Sequence, residues 1–562
     1  MSRLTTLLVT VAMMAILTFI GASYAGAQDA STKAQAEAHV KLGTALYQKA
    51  DWDGAIKEYR EAARLQPDSP YIHTNIGLAL SSKGDLDGAI AEYREALRLN
   101  PNLASAHDYL GQALKRGGDL DGAIAEYHEA LRLDPNLVEG HVSLGVALGM
   151  KGDLDGEIAE FREALRLNPN YWLAHYDLGS ALESKGDWDG EIAEDREALR
   201  LNPSYAMAHM GLALALGHKG DWDGEIAENR EALRLDPKNG TAHYNLGTAL
   251  FNKGDLDVAI TEQREALRLN PSNDAAHDNL GAALGKKGDR DGEIAEEREA
   301  LRLNPNNAQA HENLAVALGS KGDSYGAIKE YREALRLNPN NAQAHANLGI
   351  ALGHKGDWDG EIAEDREAIR LNPKNEMAHF NLGIALGHKG DWNGEIAEER
   401  EALRLNPSYA MAHMGLALAL GHKGDWDGEI AEDREALRLD PKNGTAHYNL
   451  GTALFNKGDL DGAITEQREA LRLNPSNDAA HDNLGIALGK KGDWDGGIAE
   501  EREALRLNPN NAQAHSSLGF ALYKKGDQQG ALEEYRAACM LDPQNATYKQ
   551  NYDRVLQKMN KR

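Results

Sequence analysis

Three residue columns in this 562-residue chain have the types and the regular spacing that chemistry would need. Histidine recurs at His39, His73, His107 and every 34 residues thereafter to His515. A row of imidazoles first suggests a metal. Two imidazoles on one zinc must each come within about 2 Å of it, however, and groups on successive stacked helices lie about 8–10 Å apart. The column therefore reads as packing between helices, with no metal and no cofactor. The Gly-Asp-Trp-Asp-Gly-Glu loop around Asp357 echoes the first and third ligands of a calcium loop. Counting from Asp357, Ile362 stands where that loop needs glycine and Ala368 where it needs a bidentate acid, so its aspartates read as helix caps.

Asparagine forms the second column: Asn75, then Asn245, Asn279, Asn313, Asn347 and Asn381 without a break, then Asn449 and Asn483. An amide donates to and accepts from a peptide unit at once, so a row of amides reads backbone and not side chains. At about 0.5–1.5 kcal/mol net per hydrogen bond, five in succession hold an extended chain once its ordering entropy is subtracted. The alternative is that asparagine is merely tolerated there. One residue earlier the chain varies, with Tyr176, Met210, Tyr244, Phe380, Met414 and Tyr448 in some units and Asp108, Asp278, Glu312 and Asp482 in others. The apolar members could give a partner contact area; the alternative is that some pack against neighbouring helices.

The elements that must position these columns follow from the period. Proline recurs at Pro67, Pro101 and every 34 residues to Pro543, which defines fifteen units over residues 36–545. In the unit 342–375, His345, Leu348, Gly349 and Leu352 fall at i, i+3, i+4 and i+7, one face of a helix. Gly356 and Asp357 break that helix, and Asp357 caps a second, whose apolar side is Trp358, Ile362, Ala368 and Ile369. Pro373 ends it. Two such helices cannot bury their faces alone, so the units must stack. The 34-residue period, with Leu-Gly early, alanine in mid-unit and proline near the end, resembles the tetratricopeptide repeat family. The resemblance implies an all-α fold, a right-handed α-solenoid superhelix of helix-turn-helix units. It also implies that positions 2, 6, 9 and 13 of each unit line a concave groove, which puts the asparagines in it. Their row is similar to the asparagine ladder of tetratricopeptide-containing O-linked N-acetylglucosamine transferases.

A third column departs from the family. The mid-unit alanine at position 20 becomes Glu157, Glu191, Glu225, Glu293, Glu361, Glu395 and Glu429 in seven units, six of which carry glycine at position 12. Six of the seven also lack the aromatic at position 24, showing Asp195, Asn229, Glu297, Asp365, Glu399 and Asp433 where other units keep Tyr59, Tyr93, Tyr127 and Tyr535. A buried unpaired carboxylate is costly. These glutamates are therefore expected to reach the helix surface or a nearby Lys or Arg, and Glu364, Glu367 and Arg370 to lie on a solvated outer face.

The chain carries 61 basic and 88 acidic side chains, a formal charge of −27, which disfavours a nucleic-acid partner. Arg3, the apolar run 7–20 and Ala25-Gly26-Ala27 have the parts of a signal peptide over residues 1–27; an uncleaved anchor over 4–22 is the alternative. Residues 28–35 read as a polar lead-in. Residues 546–562 read as a capping helix with Tyr548, Tyr552, Val555 and Met559 on one face. The single cysteine, Cys539, reads as a buried apolar residue. Segments 204–311 and 408–515 differ at five of 108 positions, so the array grew by block duplication. The expectation is a periplasmic or secreted, non-catalytic scaffold that binds extended segments of other proteins. The alternatives are a targeting arm of an enzyme complex such as a glycosyltransferase, or a structural spacer in the envelope.

Overall fold

The computed structural model describes residues 30–560; the signal segment lies outside them. Among the described residues there are 31 helices and no strand. The first, Ala30–Gln48, begins inside the lead-in, and the last is Ala546–Asn560. Between them one grammar repeats. In the unit 342–375, Ala342–His354 is followed by Trp358–Leu371. The turn is made at Gly356, whose φ of +83° is the left-handed conformation that glycine adopts without steric cost. Thirteen further glycines do the same at φ +78° to +98°, and the first unit alone uses an alanine, Ala50, at φ +60°. Asp357 then accepts the Gly360 amide at 3.0 Å, satisfying one orphan donor of the second helix.

The contacts divide the chain into two units, 1–283 and 284–562. Within each, second helices pack against the first helix of their own repeat and of the next, and many successive first helices touch as well. In the C-terminal unit Ala342–His354 touches Glu376–His388, which touches Ala410–His422 in turn. Successive second helices make no comparable contact among the described residues.

The apolar core is unevenly spread. At the start of the N-terminal unit one cluster runs from Tyr47 to Ala147 and includes Tyr59, Tyr93 and Tyr127. These rings lie on glycines of the facing first helix; a Cβ at Gly77 would come within 2.5 Å of the Tyr93 ring. In the C-terminal unit, the cluster around Ala346, Ala368 and Ala378 contains no aromatic residue. At the end of that unit Val555, Tyr552 and Met559 of the last helix pack onto Leu518, Leu522 and Tyr535. Cys539 is half-buried.

Candidate functional site

At 100° per residue, positions 2, 6, 9 and 13 of a first helix share one narrow face. The structure leaves that face uncovered by second helices. In the C-terminal unit it carries exposed apolar side chains: Met377 (48%), Met411 (52%) and Leu418 (48%), with Val316 and Phe520 farther along. The N-terminal unit shows Met207 and Leu214 in the same register. Single exposed apolar residues need no explanation, but a row at fixed repeat positions does.

The asparagines lie on this face, mostly half-buried. In the N-terminal unit Asn75 is buried, Asn245 is half-buried, and Asn279 donates from Nδ2 to Thr248 Oγ1 at 2.9 Å. In the C-terminal unit Asn313 and Asn347 accept from Gln309 and Gln343 on their own helices at 3.0 Å. Asn381 Nδ2 is buried without a partner, Asn449 is half-buried, and Asn483 donates to Thr452 Oγ1 at 3.0 Å. The column is therefore chemically mixed: Asn279 and Asn483 spend a donor on a neighbouring repeat, while Asn313 and Asn347 use their amide oxygen within their own helices.

Position 5 is not part of this face. It turns toward the next repeat, so Tyr176 packs edge-on against Tyr205 at 5.0 Å and Phe380 packs tilted against Tyr409 at 5.1 Å. Asp108 is fully buried, accepts from Gln112 at 2.8 Å, and is pushed up to about 6 by burial. The expected contact area for a partner is instead packing between repeats.

The histidine column does more than fill space. Nδ1 of His345 lies 2.6 Å from Glu364 Oε2, and Nε2 lies 3.2 Å from the Pro339 carbonyl of the preceding repeat. The same pair of contacts recurs at His73, His107, His141, His175, His209 and His515. Both partners accept, so only an imidazolium satisfies both nitrogens. The Glu92 carboxylate accordingly raises His73, and Glu398 raises His379. Glu364 is thus not a free outer-face charge, whereas Glu367 and Arg370 do form an exposed i,i+3 pair. The signal was present in the sequence as two unbroken columns nineteen residues apart. Each of these imidazoles bridges the two helices of its own repeat and the turn before it, whereas His379 makes the Glu398 contact alone.

Five of the seven position-20 glutamates contradict the expectation placed on them, while Glu157 is half-buried. Glu191, Glu225, Glu361, Glu395 and Glu429 are buried, each with an Oε2 that has no hydrogen-bond partner. Only Glu293 finds a cation, with Arg290 Nη1 at 2.7 Å. Except at Glu191, whose unit has Glu183 at position 12, the carboxyls lie on the position-12 glycines: a Cβ at Gly217 or Gly421 would come within 2.5 Å of Glu225 or Glu429. The missing Cβ makes room for the carboxyl inside, so it does not have to swing out. Position 24 repeats the arrangement, with Asp365, Glu399 and Asp433 fully buried where Tyr93 and Tyr127 sit elsewhere. Burial pushes Glu361 up to about 7, Asp365 to about 8 and Glu399 to about 9. Burial thus favours their protonated form, which lowers the cost of burying them.

No curated protein matches the chain at significant similarity. Solved structures similar to it include yeast Tom70 (18% identity, TM-score 0.33, covering 76% of this chain and 96% of that one). The chain is also similar to the APC/C hetero-tetramer Cut9-Hcn1 (14%, 0.39, 93% and 96%) and to YrrB, described as a TPR protein with an unusual peptide-binding site (23%, 0.30, 33% and 95%). A tetratricopeptide repeat profile matches residues 40–104, 158–206, 196–240, 366–410, 396–444 and 483–546, over half of the chain. A TPR repeat profile matches 111–152, 247–288, 318–356 and 451–492. With helix pairs stacked in a 34-residue register throughout the described residues, the chain belongs to the tetratricopeptide repeat family.

Proposed function

We propose that this protein is an exported scaffold without chemistry of its own, which holds an extended segment of a partner protein against the first-helix face of its repeats. The observation that carries this reading is the uncovered apolar row of Met377, Met411 and Leu418 running beside Asn347 and Asn381. Thioether and aliphatic side chains supply desolvated area, and amides supply directional bonds to a peptide backbone. A basic partner surface or a nucleic acid gains nothing specific from either.

Affinity capture on the full chain from the envelope fraction of the exporting cell tests this. The mature chain itself should be recovered there beginning at Gln28. Replacing Asn313, Asn347 and Asn381 by Ala should leave the helical signal intact and weaken the captured partner by roughly tenfold or more, from three bonds of about 0.5–1.5 kcal/mol each. Unchanged affinity in a calorimetric titration refutes the asparagine role.

A further inference from the structure

We propose that the central repeats of the C-terminal unit contain proton-operated joints: the buried carboxyl pairs Glu361/Asp365, Glu395/Glu399 and Glu429/Asp433 hold each first and second helix together only while protonated, and their ionisation opens that seam. This goes beyond the scaffold function and does not rest on it.

The geometry is the same three times. Both members of each pair stand one helical turn apart on the second helix, buried, with carboxyl oxygens that have no hydrogen-bond partner. They face Gly353, Gly387 and Gly421 at position 12, and Asp365 and Glu399 also face Gly349 and Gly383. No Lys or Arg acts on them. The charged groups that do are acids: Glu361 and Glu364 on Asp365, Glu395 on Glu399, and Glu429 and Glu432 on Asp433. Glu364 and Glu432 are in turn engaged by His345 and His413. An ionised carboxylate at these positions would meet glycine backbone and other acids, with no cation to offset its lost hydration.

The direction with pH follows. An unfolded chain releases these protons above about pH 4. The folded repeats keep theirs until near neutrality and beyond, with Glu395 and Glu429 up to about 7 and Asp433 to about 8. Folding therefore takes up protons, and stability falls as pH rises from about 4 through the folded values. The histidine–glutamate contacts act in the same direction, since Glu398 raises His379 and their ion pair is lost as pH climbs through its folded value. Carboxylates lowered by exposed arginines, such as Glu367 beside Arg370, have the opposite sign, but they act below their ordinary range and are solvent-screened.

Urea unfolding of the full chain, followed by circular dichroism and tryptophan fluorescence at pH 5.5, 7.0 and 8.5, tests the proposal. The wild-type midpoint should fall with pH, the unfolding constant rising at least about tenfold, since one group that the folded state keeps protonated across a single pH unit of this window, where the unfolded chain has already released its proton, gives that factor. The six-site variant Glu361→Gln, Asp365→Asn, Glu395→Gln, Glu399→Gln, Glu429→Gln and Asp433→Asn should lose at least half of that dependence. Position 24 already accepts neutral amides in sister repeats, as Asn229, Gln263 and Gln467. If the six-site variant fails to fold, Asp365→Asn, Glu399→Gln and Asp433→Asn together serve under the same criterion. A wild-type midpoint that is flat or rising between pH 5.5 and 8.5, or an amide variant that tracks the wild type, overturns the proposal.

Discussion

At the scale of single residues, the chain couples positions that are far apart in sequence but touch across a helix pair. In six of the seven glutamate units, glycine at position 12 and glutamate at position 20 occur together because the carboxyl occupies the volume that a Cβ would fill, as Gly353 and Glu361 show. Repeats with alanine at position 20 are free of that restriction and place Ser81, Lys115 or Phe251 at position 12. Gly353→Ala should therefore destabilise the protein by about 1–3 kcal/mol through overpacking. Adding Glu361→Ala should recover most of the loss, giving a coupling of about 0.5–3 kcal/mol in a double-mutant cycle of urea unfolding. Strict additivity of the two substitutions would show that the glycine is there for another reason. The histidine bracket has the same logic, because His345 and Glu364 were each legible as members of a column but not as partners until the helices were paired.

At the scale of helix pairs, the repeats divide by what lies between first and second helix. Leu86–Leu99 and Leu120–Leu133 set Tyr93 and Tyr127 there, inside a continuous apolar cluster. Trp358–Leu371 sets Glu361 and Asp365 there, beside a cluster of small residues. Losing a buried aromatic costs about 3–5 kcal/mol at a well-packed site, and neutral acids return little of it. Backbone amides of Trp358–Leu371 are thus expected to open with a free energy a few kcal/mol lower than those of Leu86–Leu99 in native-state hydrogen exchange at pH 7. Equal or greater protection in the acidic repeats would refute this. Between repeats the compensation comes from polar joints: the histidine brackets, and Lys–Asp pairs such as Lys389 with Asp359 at 2.9 Å. Trp358 and Trp392 add to these by stacking on His388 and His422 at 3.9 Å.

At the scale of the whole molecule, stability is a sum over neighbours, so repeat number is a free variable. The near-identity of segments 204–311 and 408–515 shows that blocks of repeats have been added without redesign. Deleting residues 204–407 joins Pro203 to Ser408 in a context already present at Pro407-Ser408. The shortened chain should fold with the same helical ellipticity per residue and a cooperative urea transition. A loss of ellipticity per residue would mean that the removed block holds contacts beyond nearest neighbours. Partner affinity, by contrast, should drop in that deletion, because it removes five of the eight asparagines together with Met377 and the first copy of the Met207–Leu214 face.

The sequence by itself determined the period, the two helices of each unit, the glycine turn and the aspartate cap, because these depend on residues within one unit and on backbone preferences that act locally. It also located the column of asparagines, since the face of a helix follows from its pitch. Only the tertiary structure decided which columns meet. That glutamate lies on glycine inside the helix pair, that position 5 turns into the next repeat, and that histidine binds a carboxylate nineteen residues on depend on how the helices pack. Packing is set by volume and by the cost of unpaired charge, neither of which a single column displays.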